Sequence, residues 1–189
     1  MKTILYFLFS CCLPLFIFGQ NWAPIVEDNL YNYGIEGEEG LANTIKIDFT
    51  NDLGGTLAHY LNPTVVPCDS CAVETSLLAG QVQFLNEVMI EENGVFLFTG
   101  SNNDTFQLVS NAVIDQTWIF NIGNGTSATV AEINEINVLG QLDSVKTILL
   151  DSGEEILLSK NFGLLKFPDL LAGNGVIYEL IGISNLGLG

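Results

Sequence analysis

From residue 41 onward, apolar and polar positions alternate in short runs instead of recurring every three or four residues. Ile45-Lys46-Ile47-Asp48-Phe49 is the plainest run: period two puts Ile45, Ile47 and Phe49 on one face and Lys46 and Asp48 on the other, the signature of a half-buried strand. Leu57–Leu61, Val95–Phe98, Thr105–Val109, Thr117–Asn121 and Ala128–Val138 are further β-rich runs, each bounded by Asn, Gly, Ser or Asp. Val82–Ile90 is ambiguous. Leu78, Val82, Leu85 and Met89 could mark a helical face, but Gly80 and the absence of a cap favour a strand. Asn21–Gly40 is polar and reads as an irregular arm laid over the domain, with Trp22, Pro24, Tyr31 and Tyr33 as the side chains that pack. Short strands at this spacing predict an all-β antiparallel domain.

The closing stretch is the most regular. Val145–Leu150 and Ile156–Ser159 flank Asp151-Ser152-Gly153-Glu154, where Gly153 can take the positive φ that a hairpin turn requires. Lys160-Asn161-Phe162-Gly163 is a second turn leading into Leu164–Phe167, and Pro168 removes a ladder donor and ends that strand. Gly173-Asn174-Gly175 then punctuates the chain before Val176–Ile183. Val145, Thr147 and Leu149 alternate with Lys146, Ile148 and Leu150, so apolar side chains fall on both faces and the first hairpin is expected to be covered on both sides. Register here is expected to rest on Gly153 and Gly163.

The first segment changes the picture from fold to destination. Met1-Lys2 is a short basic start, Thr3–Phe18 is almost wholly apolar, and Gly19-Gln20-Asn21 supplies a small residue followed by polar ones. This is the pattern of a secretory signal peptide, shorter than a membrane span and cut after Gly19 or Gln20. An uncleaved anchor, and lipidation of Cys11 in Leu8-Phe9-Ser10-Cys11, are the competing readings. Residues 1–19 are thus the signal peptide and 20–189 a single β-rich domain.

Charge narrows the partners. The formal net charge is −17, with 22 acidic residues against five basic ones, all lysines. Such an excess repels phosphate backbones and anionic lipid surfaces, so no nucleic-acid partner is expected, and no stable membrane span remains after signal removal. A cationic or surface-protein partner, or a divalent ion, stays open.

Candidate chemistry is sparse. Cys11 and Cys12 leave with the signal, so Cys68 and Cys71 in Pro67-Cys68-Asp69-Ser70-Cys71 are expected to pair in an oxidising compartment. A dithiol oxidoreductase would need a βαβ unit that the pattern lacks, and a zinc site would need about four ligands where His59 is the only histidine. Asp48, Asn51 and Asp52, and likewise Asn102-Asn103-Asp104, place oxygen ligands in loops without EF-hand spacing, which favours solvated turns over calcium. Glu91-Glu92 and Glu154-Glu155 are adjacent carboxylates of the kind that usually face water. Asn103-Asp104-Thr105 and Asn124-Gly125-Thr126 fit the N-glycosylation tripeptide. His59 reads as a packed or hydrogen-bonded histidine. No catalytic, cofactor-binding or metal residue is assigned, and no cofactor is expected.

Asp143-Ser144-Val145-Lys146-Thr147-Ile148, Leu158–Pro168 and Tyr178–Ile183, together with Trp22, Tyr60-Leu61-Asn62 and Thr117-Trp118-Ile119-Phe120, resemble a block found in otherwise uncharacterised secreted Bacteroidota proteins. In the longer of those proteins this N-terminal block precedes a C-terminal sorting domain of the type nine secretion system, so residues 20–189 also read as the N-terminal part of a longer protein. The order of a Trp strand, a long strand, a hairpin and a Gly-Leu-Leu-Lys strand further resembles curved half-barrels of envelope proteins. The resemblance implies a single, strongly curved antiparallel sheet, half-barrel or barrel-like, with a β-sandwich as the alternative. It carries no catalytic residues. Three functions follow as expectations: an exported non-catalytic module for adhesion, assembly or display in the periplasm, at the cell surface or outside the cell; a carrier of an apolar ligand or peptide; or a hydrolase using carboxylates or a metal.

Overall fold

The computed structural model describes residues 22–65, 85, 88–99, 105–169 and 175–186. Within them lie twelve strands: β1 (Asn29–Ile35), β2 (Asn43–Asp52), β3 (Leu57–Val65), β4 (Val88–Glu92), β5 (Val95–Thr99), β6 (Thr105–Val109), β7 (Thr117–Ile119), β8 (Ser127–Val138), β9 (Gln141–Leu150), β10 (Glu155–Ser159), β11 (Gly163–Pro168) and β12 (Ile177–Asn185). No helix occurs among the described residues. The strands form one antiparallel sheet in the order β6-β5-β4-β3-β2-β1-β12-β11-β10-β9-β8-β7. Nearly every strand lies beside its sequence neighbours, and the first pairs with the last along Asn29↔Asn185 to Ile35↔Tyr178. A single curved sheet is therefore what the described residues form, and they contain no second sheet to make a sandwich.

The two edge strands, β6 and β7, come to face each other, and the sheet is almost a closed barrel. What joins them is a seam rather than a ladder. Phe106 and Asn121 form an isolated bridge, the Gln107 and Ile122 amides donate to the Phe120 and Thr105 carbonyls at 2.6 and 2.9 Å, and the Trp118 indole N–H donates to the Gln107 carbonyl at 2.7 Å. Near-closure matters because an open edge would offer unpaired backbone groups to any passing strand. Twelve strands can enclose a wide interior; here it is filled by side chains. Tyr31, Tyr33, Tyr178, Phe96, Phe98, Phe120 and Phe167 are fully buried and belong to one continuous cluster.

Three local features explain where the pattern was read correctly and where it was not. The stretch expected to be an irregular arm contains β1. Tyr31 and Tyr33 alternate inward from it, while Asn29, Asn32 and Gly34 interrupt the apolar bias, so composition hides a strand that joins the two halves of the sheet. In β2 a bulge intervenes: Ile47 pairs with Leu61 but Phe49 pairs with Tyr60, leaving Asp48 as the extra residue. One added residue reverses the parity of everything after it. Ile45 and Ile47 point to the core, Phe49 is instead 53% exposed and stacks on Tyr60 at 4.2 Å, and the half-buried Thr50 turns toward His59. Of the expected strand over Val82–Ile90, residues 88–90 lie in β4, while Leu85 has a φ of +75°, which neither strand nor helix accepts; residues 82–84 and 86–87 lie outside the described residues.

The closing meander forms as expected. β9, β10 and β11 pair in sequence, and Gly153 and Gly163 take φ of +103° and +71°. Coverage on both faces holds at Val145, Lys146 and Ile148, all buried, and fails at Leu149, which is 44% exposed. The buried Asp143 carboxylate ties the meander together by accepting from the Ser159 hydroxyl, both the backbone and side-chain N–H groups of Asn161, and the Ser144 amide. Four donors on one carboxylate explain how an acid is tolerated there.

Candidate functional site

The residues ahead of β1 run across one mouth of the barrel. The Pro24 carbonyl accepts from the Leu164 amide at 2.9 Å at the start of β11, and the Val26 amide donates to the Tyr31 hydroxyl at 3.0 Å. Trp22, Ala23 and Ile25 are buried against the core. The arm ends at Glu27, beside β2 and β3. Sequence reading predicted that its aromatics pack, but not that it brings an acid to a histidine.

Beneath the Glu27 end lies a cavity of about 550 Å³, bordered by the arm and by Thr50, Asp52, Leu57, His59 and Glu91. Register puts these side chains on one face. Thr50 is the cross-strand partner of His59, Leu57 is that of Glu91, and the bulge at Asp48 is what turns Thr50 toward His59, with the exposed Asp52 at the rim. His59 is buried, and both ring nitrogens are engaged: Nδ1 lies 2.7 Å from the Thr50 hydroxyl and Nε2 3.2 Å from a Glu91 carboxylate oxygen. The Thr50 hydroxyl donates to Glu27, whose carboxylate also stands 3.8 Å from Nδ1. Both imidazole nitrogens are thus engaged within the chain Glu27–Thr50–His59–Glu91. Asp52 borders the same cavity; its carboxylate accepts from the Gly54 and Gly55 amides, which lower its pKa.

The other candidates are not brought together. Asp48 sits on the bulge, held by Lys46 at 2.6 Å and the Asn62 amide at 2.8 Å, which lower its pKa in that order, while Asp52 serves the following turn. Their oxygens therefore have separate jobs, and the calcium-loop reading has no shared centre here. Glu91 joins His59 while its neighbour Glu92 is exposed. Glu154 and Glu155 border a different cavity of about 450 Å³ with Lys166, whose ammonium is 2.9 Å from Glu36. The Asn124 side-chain oxygen accepts from the backbone and hydroxyl of Thr126. Cys68, Cys71, Asn102-Asn103-Asp104 and the 1–19 signal segment lie outside the described residues. Glu27 and Thr50 escaped sequence reading because one contributes from the arm and the other through a bulge.

No family model matches the chain, and no curated protein matches it. Among solved structures, it is similar to a candidate exported protein with a YMCC-like fold from Bacteroides fragilis, at 10% identity over 86% of this chain and 98% of that one, with a TM-score of 0.45.

Proposed function

We propose that this chain is an exported, non-catalytic binding module that receives a cationic group of its partner in the pocket beside the arm. The observation that carries this reading is the convergence of Glu27, Asp52 and Glu91 on one cavity whose histidine already has both nitrogens committed. Carboxylates at the wall of a cavity attract an ammonium or guanidinium, and a chain of net charge −17 steers such groups toward it. The filled interior argues against carriage of an apolar ligand inside the barrel. The signal-like start and the resemblance to secreted Bacteroidota proteins support export; surface delivery through the type nine secretion system, with a role in adhesion or assembly, belongs to the same reading.

Titration of a hexalysine peptide at low ionic strength tests it. Glu27→Gln combined with Glu91→Gln is expected to weaken binding at least tenfold, whereas Glu39→Gln combined with Glu135→Gln, which removes the same charge from exposed positions, should change it less than twofold. Equal losses from the two pairs would mean that overall charge, not the pocket, attracts the peptide, and the reading would fall.

A further inference from the structure

The other end of the arm borders a second cavity, and its chemistry is opposite in sign. Lys146 of β9 is 3% exposed in a chain that carries only five basic residues. Its ammonium donates to the Ser110 carbonyl and lies 4.3 Å from the centre of the Trp22 ring. Among the described residues no carboxylate comes within ion-pair distance of it. Burial alone pushes its pKa down to about 8, so close to neutral pH most of the group is still charged. An ammonium has three N–H donors, and one carbonyl with one aromatic face does not use them all. Holding a buried cation without a counter-ion is costly, and replacing it by a hydrophobic residue of similar shape would normally help the fold.

Beside Lys146 is a cavity of about 380 Å³ lined by Trp22, Ala112, Val113 and Ile133, with Asn111 and Ser144 as its other polar members. Ser144 stands two residues before Lys146 on the same face of β9, so hydroxyl and ammonium border the space together. Val113 is 63% exposed at its edge. The cavity is therefore apolar on most sides, with one unneutralised positive charge and two hydrogen-bonding side chains.

We infer that this second cavity is a binding site for an organic carboxylate with an apolar body, such as a medium-chain fatty acid, whose carboxylate meets Lys146 and Ser144 and whose chain lies against Trp22, Ala112, Val113 and Ile133. The volume is within the range of small-ligand pockets. The site is independent of the acidic pocket: it uses the Trp22 end of the arm, and Glu27 and Glu91 have no part in it.

Octanoate is the probe, followed by calorimetry and by tryptophan emission, since Trp22 is one of only two tryptophans. The intact protein is expected to bind octanoate at least tenfold more tightly than octylamine, which has the tail and the wrong charge, or acetate, which has the charge and no tail. Lys146→Met should abolish octanoate binding while keeping the urea midpoint at or above that of the parent, because a ligand-holding cation is dispensable to the fold. Val113→Asp, at an exposed position, should weaken octanoate at least tenfold and tests the apolar wall independently of Lys146. Absence of octanoate binding, equal binding of octylamine, undiminished binding by a folded Lys146→Met, or a lowered midpoint in that variant would each overturn the assignment. Undiminished binding by Val113→Asp would do so too.

Discussion

Gly163→Ala should destabilise the protein by about 3 kcal/mol or more, a large effect for a single added methyl group. Two costs combine. Gly163 has φ of +71°, and an L-residue in that region loses about 1–2 kcal/mol. A methyl at that position would also clash with the Pro24 carbonyl oxygen and meet the Pro24 carbonyl carbon at 3.0 Å and the Ala23 carbonyl oxygen at 3.2 Å. All three are backbone atoms of the arm, so no side chain can swing aside, and overpacking of this kind costs about 1–3 kcal/mol more. The next residue, Leu164, donates its amide to that same Pro24 carbonyl, so pushing the arm away also loses a hydrogen bond. Gly153→Ala is the matched control. Its φ is +103°, yet nothing lies within 4 Å of the added carbon, and it should cost about 1 kcal/mol. Urea melts of the two variants compare them directly. Equal midpoints would mean that the arm does not cross the β10–β11 turn.

Tyr33→Ala should cost about 3–5 kcal/mol, in the range for emptying a large buried site. Tyr33 is fully buried on β1, its ring 5.1 Å from Phe167 in an edge-on contact and 6.4 Å from Tyr31 in a stacked one. Its hydroxyl donates to the Leu164 carbonyl at 3.0 Å, across 131 positions of sequence. Tyr33→Phe removes only that bond and should cost about 1 kcal/mol. The two values together separate packing from hydrogen bonding. Because β1 lies between β2 and β12, loss of the ring should lower the midpoint of one cooperative transition without splitting it. A cost below about 1.5 kcal/mol for Tyr33→Ala, or a first transition confined to half of the sheet, would show that β1 is not what unites the two halves.

The contrast between these residues shows how far the sequence could be read. Gly163 was legible because a turn residue between two apolar runs has a local meaning: positive φ is needed where the chain reverses. Its second role, leaving room for Pro24, is a contact over more than a hundred residues, and no local pattern records it. Tyr33 was seen as a packing residue, but Asn29, Asn32 and Gly34 around it lack the apolar bias that marks other strands, so β1 went unread. Phe49 was assigned to the wrong face because alternation alone does not reveal a bulge at Asp48. That same bulge brings Thr50 to His59. The acidic pocket gathers Glu27, Thr50, His59 and Glu91 from the arm and three strands, at separations set by strand register rather than by any spacing motif. Lys146 is legible as one apolar-strand position among others; only the fold shows that its ammonium is buried with no acid within ion-pair distance among the described residues.

Closure of the sheet through its first and last strands, with the weak place between β6 and β7, is the claim on which the rest depends. Native-state hydrogen exchange, resolved amide by amide, tests it most directly. The account predicts that amides of the β1–β12 ladder exchange at the rate of global unfolding. The Leu164 amide, capped by the arm, should be equally slow. The Gln107 and Ile122 amides at the seam should open locally and exchange at least tenfold faster. Seam amides as slow as the β1–β12 ladder, or β1 amides exchanging at the rate of an exposed loop, would contradict it.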